Sequence, residues 1–105
     1  MTVTYAIRCG DFVKVGKTRD LATRISSMQT GCPLPLVLHG YVEGDIEAAT
    51  HEYLEFCGHE RVRGEWFAFD DEITYALAGM GIWPLDLRER AEWRGELVGG
   101  WTGSL

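Results

Sequence analysis

The stretch Thr2-Val3-Thr4-Tyr5-Ala6-Ile7-Arg8-Cys9-Gly10-Asp11-Phe12-Val13-Lys14-Val15-Gly16-Lys17 decides the fold. Residues 2–9 alternate and are rich in β-branched side chains, which reads as a strand. Gly10-Asp11 is a turn signal, and the alternation resumes over Phe12–Val15, so the segment predicts a β-hairpin. Tyr5 falls on the same side of the first strand as Val3 and Ile7. Lys14 alternates with Val13 and Val15 and so points to the other face of its strand. Gly16 closes the second strand, where a side chain would obstruct a close ligand or a neighbouring backbone.

Downstream of the hairpin, Thr18 or Asp20 can cap a helix that begins near Leu21. Leu21, Ile25 and Met28 are spaced to share one face of it. Gly31 marks its end, and Pro33 and Pro35 prevent its continuation. Leu36–Val42 predicts a third strand. A second helix is expected over Asp45–Phe56, with Asp45 as its cap and Ile46, Ala49, Tyr53 and Phe56 as its apolar stripe. Residues 58–64 read as a polar connection and Glu65–Phe69 as a short apolar segment. Asp70-Asp71 then caps a third helix over about Glu72–Met80, which Gly81 and Pro84 break. Residues 86–97 suggest a short charged helix, and Gly99–Leu105 a loose tail. The order is β-β-α-β-α-α. The expected fold is therefore α+β, a small three-stranded antiparallel sheet flanked by helices, with a domain over residues 1–82 and a C-terminal segment over 83–105.

Composition sets the limits. The chain has 105 residues, 46% hydrophobic and 25% charged, which suits one soluble domain with one core. No apolar run approaches the roughly 18 residues of a membrane span, and no signal peptide precedes the first strand, so a cytoplasmic protein is expected. Three scattered cysteines give no disulfide framework. Cys57-Gly58-His59 lacks the companion pair a zinc site needs. The net charge of −6 is unevenly spread. Residues 1–31 hold five cations (Arg8, Lys14, Lys17, Arg19, Arg24) against two acids, a balance of +3, and the remainder carries −9. An acidic body with one basic face is compatible with phosphate binding, because the local field attracts the ligand.

Four motifs in order resemble the GIY-YIG nuclease family over about residues 3–80. Val3-Thr4-Tyr5 looks like the family's first tyrosine block, and Lys14-Val15-Gly16 like its second. Gly16-Lys17 is followed by Arg24 in Arg24-Ile25-Ser26-Ser27, in the register of repair-type members. A phage-type and fungal subgroup reads VKIG in place of YIG, as in Val13–Gly16. That subgroup also carries the equivalents of Gln29-Thr30-Gly31, His51 and Gly64-Glu65-Trp66-Phe67. The second family tyrosine is here Lys14.

The resemblance implies a metal-dependent endonuclease acting on DNA (single strands included) with low sequence specificity, leaving 5′-phosphate and 3′-hydroxyl ends. In such a site the Tyr5 phenol takes the proton of the attacking water. Its ordinary pKa of ~10 is too high for that, so Lys14 and Lys17 are expected to lower it. Lys14 alternatively holds a phosphate oxygen, and Lys17 reaches a phosphate directly. Arg24 offers a guanidinium fork to the pentacovalent phosphate, or else forms a surface pair with Asp20. His51, flanked by Glu47, Glu52 and Glu55, is a metal ligand, a general acid, a second base or a solvent-facing histidine. The ion, Mg²⁺ or Mn²⁺, falls to Glu65 or His51, and the sequence leaves that choice open. His39 and His59 are weaker candidates. The contrary reading is a catalytically weak module of the same fold that binds nucleic acid or a protein, with Trp93 and Trp101 as possible anchors.

Overall fold

The computed structural model describes residues 1–85. The charged segment at 86–97, the tail Gly99–Leu105 and the tryptophans Trp93 and Trp101 lie outside the described residues. The hairpin forms as its alternation requires: β1 (Val3–Cys9) and β2 (Phe12–Thr18) pair from Val3↔Thr18 to Cys9↔Phe12. After it comes α1 (Leu21–Thr30), capped by Asp20, whose carboxylate accepts from Thr23 N at 3.1 Å and Thr23 Oγ1 at 2.8 Å. Gln29 then secures the proline turn: Nε2 donates to Leu34 O at 2.9 Å and Oε1 accepts from Leu36 N at 2.8 Å. That turn delivers β3 (Leu36–Glu43) to the outer side of β1, again antiparallel.

The sheet has five strands, where the sequence predicts three. Within residues 58–69 lies a second hairpin, β4 (Arg61–Arg63) and β5 (Trp66–Ala68), and β5 pairs with β2. The strand order is β3-β1-β2-β5-β4, all antiparallel. Each new strand has only three residues, and Arg61-Val62-Arg63 is exposed throughout. Such a segment has no buried face and so no alternation to read, while its arginines suit an unpaired sheet edge. Gly64 makes the turn possible, with φ of +55° in the left-handed region.

Two helices complete the structure, α2 (Glu47–Phe56) and α3 (Asp71–Gly79). Asp70 caps α3 by accepting from Ile73 N at 2.8 Å. The start of α2 departs from expectation. Asp45 does not cap it, because its carboxylate holds Lys17 at 2.9 Å. Thr4 Oγ1 accepts from Ile46 N at 2.9 Å instead, and itself donates to Gly44 O, which ties the helix entrance to β1. The expected stripe is also displaced: Ala49, Tyr53 and Phe56 are exposed, and Thr50, His51 and Leu54 are buried. Thr50 and His51 tolerate burial because each has a partner close by, Thr50 Oγ1 donating to Ile46 O at 2.7 Å.

The core lies on one face of the sheet. Ala6, Val13, Val15 and Phe67 pack there against Leu54 of α2, Ile73, Ala76 and Leu77 of α3, and Ile82. On the opposite face Tyr5 and Ile7 are also buried. Of the expected α1 stripe, Leu21, Ile25 and Met28 are all half-buried. No helix of the described residues is long and apolar enough to cross a membrane.

Candidate metal and phosphate site

The site forms where β2 runs past the end of β5. β5 pairs with β2 only at Phe12, Val13 and Lys14, and one further bond, Val15 N to Glu65 O at 3.3 Å, closes that ladder. The Val15 carbonyl points into the gap and accepts from His51 Nε2 at 2.8 Å. An imidazole thus takes the place of the next strand. A carbonyl only accepts, so Nε2 carries the proton and Nδ1 keeps a free lone pair. This is the arrangement of a ligating histidine, with one nitrogen anchored to backbone and the other presented.

His51 is therefore buried and held, not the solvent-facing helix histidine that the sequence also allowed. Glu47 lies one turn earlier on the same helix, and Glu65 sits in the β4–β5 turn beside Val15. The three offer ligand atoms all within 4.8 Å of one another, and this group can hold a metal ion. Glu65 and His51, the two alternatives the sequence offered, converge, and Glu47 joins them. The sequence reading noted Glu47 only as a flank of His51. Its signal was the i, i+4 spacing, which places two ligands on one helical face.

The electrostatics match that geometry. Burial pushes the Glu47 carboxyl above its ordinary value, and the Glu65 carboxyl bonded to it pushes it further. His51 and Lys17 act weakly the other way. Two carboxyls held this close form a site short of positive charge, which a divalent cation can make good.

Tyr5 lies within electrostatic reach of Glu47 and Glu65, and of Arg24. Tyr5 pairs with Gly16 across the hairpin, and its ring lies over that glycine: a Cβ there would stand 2.5 Å from the phenolic oxygen. Burial raises the Tyr5 pKa, Arg24 pulls it down, and Glu65 and Glu47 add to the rise. The cation acting on Tyr5 is thus Arg24, in place of the expected Lys14 and Lys17, and the net shift is upward. The Asp20–Arg24 pair does not form, because Asp20 is engaged by Thr23, which holds its carboxyl below the usual range. Among the described residues no carboxylate pairs with Arg24.

The two lysines occupy opposite faces. Lys14, on the Tyr5 face, lies 3.8 Å from Glu65. Lys17 is on the core face and bonds Asp45 at 2.9 Å, which raises its pKa. His39 sits in β3 with its ring edge-on to Phe69, and His59 follows α2; neither joins the group. No family model, no curated protein and no solved structure matches this chain.

Proposed function

We propose that the protein is a divalent-metal-dependent endonuclease that hydrolyses DNA phosphodiester bonds with low sequence specificity. The observation that carries this reading is the convergence of Glu47, His51 and Glu65 near Tyr5, whose phenol feels Arg24, Glu65 and Glu47 together. Two carboxylates and an imidazole suit Mn²⁺ better than Mg²⁺, though either fits the oxygen donors. When bound, such an ion supplies Lewis-acid stabilisation of the oxygen that leaves. Arg24, which no carboxylate pairs with among the described residues, binds the phosphate and steadies the added charge of the transition state. Lys14 lies close enough to Glu65 to share that phosphate. The Tyr5 side chain, as its phenolate, accepts the proton of the attacking water. Because burial raises its pKa, the rate should climb with pH across the neutral range.

The test is cleavage of a labelled single strand and of supercoiled plasmid with Mg²⁺ or Mn²⁺. Arg24→Ala should cost two to three powers of ten in rate, by analogy with the loss of an oxyanion donor, and Glu47→Gln should abolish metal-supported cleavage. A second reading has its own support: both lysines rest against carboxylates and the phenol is protonated at neutral pH. Under that reading the protein is a weakly catalytic module that binds nucleic acid or a protein partner. Silence of wild type on both substrates, with either metal, would favour it.

A further inference from the structure

An open cleft of about 260 Å³ lies between the two hairpins, walled by Cys9, Phe12, Val62, Arg63 and Trp66. It belongs to the Tyr5 face of the sheet. Cys9 pairs with Phe12, Ile7 with Lys14 and Tyr5 with Gly16, so these six residues form one row along the hairpin. Trp66 pairs with Lys14 from the other side, and Arg63 pairs with Trp66. Lys14, the partner of the wall residue Trp66, lies 3.8 Å from Glu65 and so stands between the cleft and the candidate site. Two residues of strand separate Phe12 from Lys14, about 7 Å, a step that one unstacked nucleotide spans.

Its walls have the composition that holds a base. Phe12, though its strand lies inside the sheet, leaves 43% of its surface exposed, and Val62 leaves 55%. Aromatic rings with an arginine beside them are the usual platform for an unpaired base, the rings giving a stacking face and the guanidinium reaching the base or its phosphate. The volume falls below the ~300–1,000 Å³ of pockets built for whole drug-sized ligands, and suits one planar ring system. A paired base cannot enter, since its faces are already stacked within the duplex.

We infer that this cleft binds an unpaired nucleobase one step from the phosphate held at Lys14, so that the substrate is single-stranded DNA. The inference rests on the nuclease reading for the position of that phosphate, but its test does not depend on cleavage. Binding is measured by fluorescence anisotropy in EDTA, with a nine-residue thymidine strand and an abasic strand of equal length and charge. Wild type should bind the thymidine strand about tenfold tighter than the abasic one, in line with the stacking of one base. A duplex of the same strand should show no such advantage. Phe12→Ala should remove the difference and leave affinity for the abasic strand unchanged. Val62→Ala, an exposed edge position that does not endanger folding, should reduce it in the same direction.

Equal binding of the two strands by wild type would overturn the inference, as would a preference that survives both substitutions. A base preference lost in Phe12→Ala, beside a protein that cleaves nothing with either metal, would leave the cleft standing and remove the nuclease. Cleavage with no base preference would do the reverse.

Discussion

At the scale of single residues, Tyr5 and Arg24 make a pair whose coupling can be read directly. The phenol is buried and its pKa raised, and Arg24 is the group that restrains the rise. Removing the guanidinium as Arg24→Ala should move the Tyr5 titration to still higher pH. Ultraviolet difference titration of the phenol, against Tyr5→Phe as the blank, measures this. An unchanged or lowered pKa would mean that Arg24 does not face the phenol. His51 permits a similar test, because its Nε2 proton is committed to Val15 O at 2.8 Å. Nitrogen NMR of the ring should find Nε2 protonated and Nδ1 bare in the metal-free protein, and Mn²⁺ should broaden the Nδ1 signal first. A bare Nε2 would contradict the geometry.

At the scale of elements, what decides the site is the length of β5. It stops at Trp66, and the exposed backbone of β2 that results is where His51 and the Glu65 turn enter. Gly16 belongs to the same device, since its bare Cα lets the Tyr5 ring cross β2. Gly16→Ala should destabilise the fold by about 1–3 kcal/mol, the usual cost of forcing a group into filled space. Tyr5→Phe in that background should recover part of the loss, because the phenolic oxygen is the nearest atom but the ring carbon beneath it stands at 2.7 Å. Chemical denaturation of the four proteins checks both statements; strict additivity would disprove the contact. The same elements show what was legible in the sequence. The β1–β2 hairpin, α1, β3 and α3 could be read because alternation, caps and prolines all act locally. The β4–β5 hairpin could not, because an exposed three-residue strand leaves no hydrophobic pattern. The buried face of α2 was misread because Tyr53 and Phe56 are large and apolar, whereas Thr50 and His51 gain burial only through hydrogen bonds. Tyr5, Arg24, His51 and Glu65 were picked out by motif. The Lys17–Asp45 bond links residues far apart in sequence, and no local rule would have found it.

At the scale of the whole molecule, the candidate ion would join α2 to the edge hairpin, so binding it should stabilise the fold globally. At a hundredfold excess over the dissociation constant, linkage gives about 2.7 kcal/mol. For a domain of this size that is a rise in Tm of roughly 10–20 °C. The effect must depend on pH, with a sign that Glu47 fixes. Its carboxyl has a higher pKa folded than unfolded. As pH rises through the ordinary carboxylate range, the unfolded chain loses this proton first, so the folded state binds more protons there. Stability of the metal-free protein therefore falls with pH across that window and levels off above the raised folded pKa. A cation must displace the Glu47 proton at low pH, so the gain in Tm from Mn²⁺ should grow over the same window. Glu47→Gln holds neither the proton nor the charge; it should flatten this contribution to the metal-free profile and remove most of the gain. Thermal melts of wild type and Glu47→Gln, in EDTA and in Mn²⁺ from acid to neutral pH, provide the measurement. A gain in Tm that is independent of pH, or that persists undiminished in Glu47→Gln, would place the ion elsewhere and detach Arg24 and Tyr5 from any metal chemistry.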